Sequence, residues 1–183
     1  MQDNNKALLV MDMQMGILGR LPESTTLLSN VNKAIEKARK QGIVVIFIRL
    51  GFRNNIPEIN SNNITFAAFK ERLKNSDLNT FMQLHPSLDV KENDIVVDKK
   101  RISAFSGNDL EMILKAQNIS HLVLTGIASS GIVLSTVREA ADKDYQLTVV
   151  SDGCADFDTE IHNFLMDKIF PKQAEVVTIE AWL

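Results

Sequence analysis

Six short apolar runs, spread along the whole chain with helical patterns between them, limit what this sequence can fold into. They are Ala7–Met11, Ile43–Leu50, Asp94–Asp98, His121–Gly126, Gln146–Ser151 and Glu175–Ile179. Most are apolar at consecutive rather than alternate positions, the pattern of strands covered on both faces, as in a parallel sheet. Val31, Ala34, Ile35 and Ala38 recur at helical spacing behind the candidate caps Ser24 and Thr25, with Gly42 as a stop. Leu110, Ile113 and Leu114 repeat the pattern after Asn108, Val133, Val137, Ala140 and Ala141 mark a third face, and Ile161, Leu165 and Ile169 a fourth that ends at Pro171. Strand alternating with helix predicts an α/β, three-layer Rossmann-like fold around a mainly parallel six-stranded sheet with right-handed crossovers. Sheets of this kind place their sites beyond the carboxyl ends of the strands.

The totals fit one domain over 1–183, because 183 residues at 45% hydrophobic content suffice for a single packed core. A net charge of −3 with interspersed signs offers no basic run or face, so nucleic acid and an anionic membrane are not expected as partners. No apolar stretch approaches the roughly 20 residues a bilayer requires, and no secretory signal pattern opens the chain. A cytoplasmic location is expected. The lone cysteine, Cys154, cannot form an internal disulfide and suits a reducing compartment.

Chemistry is therefore sought at the strand ends. The first strand runs ALLVMDMQ, which sets Asp12 at its carboxyl end with Gln14 just beyond. Such an Asp is either a proton donor or acceptor, its pKa governed by burial and nearby charge, or a turn former. The third strand runs DIVVDKKRISAF, so Lys99, Lys100 and Arg101 follow an apolar run as either a solvated edge or a source of one cation for Asp12. Strands ending in Asp12, Lys99 and Gly126 converge on one crevice if they are neighbours. The stretch Gly51–Asn63 is long for a βα connection and serves either as a lid or as an ordered surface loop. Within it, Arg53 and Glu58 either read a polar substrate or pair with each other. Phe105 and Phe66 either line a pocket or belong to the core.

Taken in order, the opening LLVMDMQ, the Lys–x–Arg–x–Ser–Ala–Phe pattern at Lys99–Phe105, the turn LVLTGIA, and LSTVREAADKDY followed by VVSDGCAD resemble the isochorismatase-like hydrolase superfamily, also called cysteine hydrolases. The resemblance covers nearly the whole chain. It implies a homo-oligomer, dimer or tetramer, with Asp12 and Lys99 in the family's Asp and Lys roles. It also implies a non-proline cis peptide at Ile127–Ala128. In the amidase members the turn resembles Gly–x–Ala–Thr–Asp–x–Cys–Val, which matches Gly126 to Val133 and puts Ile132 at the nucleophilic cysteine's position. Isoleucine cannot attack a carbonyl, so the thiol route is closed.

Isochorismatase itself also lacks that cysteine while keeping the Asp and the Lys. Its vinyl-ether hydrolysis needs a proton donor and water, with no covalent enzyme intermediate. The expectation is thus an isochorismatase-family hydrolase acting on a small polar or carboxylate-bearing metabolite, with Asp12 and Lys99 catalytic. Gln14, Ala128, Ser129, Ser130, Ile132, Phe105 and Arg53 are the candidate substrate-binding residues. The alternatives are a catalytically silent binder of a small molecule or protein, and a Ser-dependent amidase. His85, His121 and His162 stand in no ligand spacing, so no metal and no other cofactor is expected.

Overall fold

The structure, a computed structural model, describes residues 5–74 and 76–182. All six apolar runs form strands: β1 (Lys6–Met11), β2 (Val44–Leu50), β3 (Ile95–Lys99), β4 (His121–Ile127), β5 (Gln146–Ala155) and β6 (Glu175–Val177). They make one sheet in the order β3-β2-β1-β4-β5-β6, every pair parallel. The winding reverses between β1 and β4, so the crevice for a ligand opens above those two strands.

Consecutive residues of β1 explain the unbroken apolar pattern. Ala7, Leu9 and Met11 enter one core cluster with Leu110, Leu114, Val137 and Ala140, while Leu8 and Val10 enter another with Val31, Ala34, Ile35 and Ala38. Each strand face therefore has its own helical layer: α2 (Thr25–Lys40) on one side, α5 (Leu110–Ala116) and α6 (Leu134–Asp142) on the other. Asn108 accepts from the Leu110 N–H at 2.9 Å, and Gly42 takes the left-handed conformation (φ 71°) that ends α2.

Three elements depart from the sequence expectation. β5 continues to Ala155 because its pairing skips from Leu124↔Val149 to Gly126↔Cys154, a bulge that sets Val150–Gly153 against Thr125. β6 ends at Val177, and Ile179 packs into the core beyond it. Pro171 does not stop the fourth helix: α7 (Thr159–Phe164) passes into a π turn and then a 3-10 turn, Phe170–Lys172, where Pro171 sits at a position that needs no N–H. Ile161 faces outward, 42% exposed.

Three short helices lack an apolar period long enough to read from sequence: α1 (Met15–Leu18), α3 (Ile64–Leu73) and α4 (Leu78–Met82). Asn63 caps α3 through Phe66 N, and Asp77 caps α4 through Asn79 N. Phe66, Leu73 and Phe81 from these helices join Leu50, Phe52, Ile56 and Ile59 in a separate small cluster above the sheet. The stretch Gly51–Asn63 is thus partly core, since Phe52, Ile56 and Ile59 are buried.

Where β1 and β4 adjoin, Met11 pairs with Gly126. Gly126 has φ 156°, and a Cβ there would stand 2.7 Å from the Met11 carbonyl oxygen and 2.9 Å from Met11 Cβ. Gly126→Ala is expected to cost about 1–3 kcal/mol, because the Met11 carbonyl, fixed in the sheet, and the Cβ attached to its backbone cannot yield. Urea unfolding checks this as a lower midpoint at unchanged slope.

Candidate active site

Asp12 leaves β1 in a left-handed conformation (φ 57°), with its N–H donating to the Ile48 carbonyl at 2.8 Å. Aspartate tolerates that region better than most side chains, and the turn lifts its carboxyl above the sheet. Lys99 closes β3, which is not a neighbour of β1, because β2 lies between them. Two strand spacings amount to about 9.6 Å, so only a long side chain can bridge them. Lys99 does so, reaching Asp12 Oδ2 with Nζ at 3.0 Å and donating also to the Arg101 carbonyl at 2.9 Å.

Both members are buried, with side chains 1% and 7% exposed for Lys99 and Asp12. Burial dominates their protonation. It pushes the Asp12 carboxyl up to about 6 against the opposing pull of the Lys99 ammonium. It likewise holds Lys99 below the ordinary lysine range, with Asp12 opposing. Asp12 Oδ1 is buried and has no hydrogen-bond partner among the described residues. A carboxyl with one bonded and one idle oxygen, protonated below about pH 6, can give a proton to a bound molecule or take one.

A cavity of about 230 Å³ lies against the pair. Asp12 and Lys99 form its floor with Ala128 and Ile132, and Ile17, Phe66 and Phe69 supply apolar wall. Ile132 is 2% exposed and presents hydrocarbon to the cavity. The turn beneath contains the cis peptide Ile127–Ala128. Its amides are largely engaged: Ser130 N–H donates to Asp156 Oδ2 at 2.6 Å and Gly131 N–H to the Ala128 carbonyl at 3.0 Å.

The remaining candidates lie outside this cavity. Gln14 uses its amide as masonry, donating to the Leu50 carbonyl at 2.9 Å and accepting from Leu50 N–H at 2.7 Å, so it holds β2 beside β1. Ser129 is fully buried, its hydroxyl 2.8 Å from His162 Nδ1 and 3.1 Å from the Ala155 carbonyl, and it does not border the cavity. Burial lowers the pKa of His162, with Asp156 opposing. Phe105 packs in the core against Tyr145, with ring centroids 6.0 Å apart. Arg53 is exposed and pairs with Glu58 at 2.9 Å. Cys154 is buried away from the cavity, its thiol pushed up to about 12 by burial, which makes it inert as a nucleophile.

Several cavity residues went unread in the sequence, and the charged ones among them are Arg20 and Arg72. Arg20 sits in a polar turn and Arg72 in a mixed-charge helix, contexts that look like ordinary solvated surface. Among the described residues, no group of three or more His, Cys, Asp or Glu is placed to hold a metal ion. No helix among them is long and apolar enough to cross a membrane.

The fold agrees with what known proteins show. The family model described as "Isochorismatase domain" matches residues 6–181. The isochorismatase family protein YwoC of Bacillus subtilis (strain 168) is 29% identical over 177 residues, covering 97% of this chain and 92% of that protein. N-carbamoylsarcosine amidase of Arthrobacter sp is 26% identical over 136 residues, 74% of this chain and 52% of that one. The structure of an isochorismatase family protein from Burkholderia thailandensis superimposes with a TM-score of 0.79 at 28% identity, covering 97% of this chain and 93% of the other. With the matched model spanning almost the whole sequence, this chain belongs to the isochorismatase family of hydrolases.

Proposed function

We propose that the protein hydrolyses a small enol (vinyl) ether, with Asp12 as the proton donor and Lys99 as its electrostatic partner. The observation that carries this reading is the idle, buried Oδ1 of Asp12, on a carboxyl whose pKa burial lifts to about 6, beside a cavity with isoleucine at the thiol position. In the reaction Asp12 gives its proton to the terminal carbon of the C=C–O unit. A C–H bond forms, the π pair moves, and the carbon bearing oxygen becomes an oxocarbenium ion. Lys99 stabilises the carboxylate left behind, water adds to the cation, and the proton lost from that water returns to Asp12. The hemiketal then collapses to a carbonyl compound and an alcohol. No step requires a nucleophile from the enzyme, which is compatible with Ile132. The unbridged Cys154 suits a reducing compartment, and we place the reaction in the cytoplasm.

A second reading, a relative that binds a ligand without turning it over, draws on the same Ile132. The Ser-dependent amidase, with Ser129 or Ser130 as nucleophile, has less support, because the Ser129 hydroxyl is buried and neither serine borders the cavity.

The pH profile tests the proposal. A general acid acts only while protonated, so kcat/KM for an enol ether is expected to be level below about pH 6 and to fall about tenfold per unit above it. A rate that rises through pH 6 would make Asp12 a base and favour amide substrates. Tight binding of the ether with no turnover at any pH would favour the silent binder.

A further inference from the structure

We infer that Arg20 and Arg72 form an anion-reading wall of the cavity and that the ligand is a small, flat carboxylate. Its acid group lies against these guanidinium groups and its remaining atoms extend toward Asp12. The identification of the ligand as substrate rests on the enol-ether reading above; the carboxylate wall itself does not.

With Asp12 ionised, above about pH 6, the floor pair is neutral as a unit, since Asp12 and Lys99 offset each other, so it then provides no net attraction for an anion. Arg20 and Arg72 add two positive charges to the same cavity. The other arginines are occupied. Arg39 pairs with Asp89 and Asp94, Arg49 with Asp98 and Arg53 with Glu58. Arg101 donates to two carbonyls and Arg138 to Gln173. Arg20 and Arg72 alone face no carboxylate or carbonyl within bonding range among the described residues.

Each of the two guanidinium groups has an aromatic neighbour. Arg20 lies over the Phe157 ring at 4.7 Å, and Arg72 lies 6.0 Å from the Phe69 ring centroid. Attraction to a ring uses none of the guanidinium's N–H groups on a hydrogen-bond acceptor, so they remain able to match a carboxylate with two parallel hydrogen bonds. Phe157 and Phe69 also border the cavity, so the same rings give a flat ligand body an apolar bed.

Shape agrees with this. A second, larger space of about 470 Å³ adjoins the first and shares Ile17, Arg20, Phe69 and Arg72 with it. The arginines therefore stand at the junction, where a ligand arriving from the wider space passes them before it reaches Asp12. The inner space of about 230 Å³ lies under the usual range of roughly 300–1,000 Å³ for drug-sized ligands, which restricts the occupant to a small molecule.

Benzoate and its neutral isostere benzamide serve as probes, with binding followed by NMR titration of the wild-type chain and of the double variant Arg20→Gln/Arg72→Gln. Both side chains are exposed, so the variant is expected to fold, and circular dichroism verifies that. The wild type is expected to prefer benzoate about tenfold, the magnitude of a partly screened charge-assisted pair. In the variant that preference vanishes while benzamide binds as before. Equal binding of the two probes by the wild type, or no binding of either, overturns the inference. A preference that survives in the variant also overturns it, since Lys99 would then be holding the anion. These readouts need no turnover, so they fail or succeed independently of the pH profile that tests the enol-ether reaction.

Discussion

Asp12→Asn lowers kcat/KM for an enol ether by about 100- to 10,000-fold, the range that a positioned proton donor contributes. The substitution is nearly isosteric and keeps an oxygen for Lys99 Nζ to donate to, so the cavity retains its shape. What it removes is the acidic proton, because an amide cannot protonate carbon near neutral pH. The loss is expected in kcat with KM close to the wild-type value, since the proton moves only in the transition state. Steady-state kinetics on the purified variant, with circular dichroism as a folding control, decides the matter. Undiminished turnover would take Asp12 out of the reaction.

The largest stability effect is expected from Lys99→Met. Methionine fills a similar volume but leaves Asp12 buried without a counter-charge, a loss of about 3–5 kcal/mol near pH 8 for removing one partner of a buried pair. Asp12 can escape that penalty only by staying protonated, which links the cost to pH. A carboxyl whose pKa is higher folded than unfolded contributes its full stability below the unfolded value and loses it as pH rises through the folded value. For Asp12 the window opens near 3.8 and already extends to about 6 with Lys99 present; removing the ammonium, which lowers the pKa, carries it higher still. At about 1.4 kcal/mol for each unit of pH, the deficit of the variant shrinks to about 1–2 kcal/mol near pH 5. Urea unfolding of both proteins at the two pH values measures it. A deficit independent of pH would mean that lost packing, and not an uncompensated carboxyl, is responsible.

The strands were legible because burial on both faces leaves a run of apolar residues that few other structures need. Asp12 and Lys99 were legible for a related reason: a charge that interrupts such a run sits at a strand end, and in a parallel sheet those ends share one rim. Adjacency was not legible. Lys99 reaches Asp12 across an intervening strand, and only the sheet order reveals it. Gln14 and Phe105 show the converse limit, because sequence places a residue near the rim without saying whether its side chain turns to the cavity or into the framework. Gln14 bonds the last residue of β2, Leu50, and Phe105 packs in the core. The short helices escaped notice because four to ten residues hold too little periodicity, and their apolar side chains serve a satellite cluster. Arg20 and Arg72 carry no local signal at all, since only the fold brings a turn residue and a helix residue to one wall.

That satellite cluster, separate from the two cores that clothe the sheet, divides the molecule along a line that matters for its descent. Asp12 and Lys99 rise from strands of the sheet that the two main cores cover. The facing wall stands on a small annex with its own fastening. Drift in the annex can retune which compounds are admitted while the machinery below is inherited intact, a partition that lets one scaffold change diet without relearning its trade.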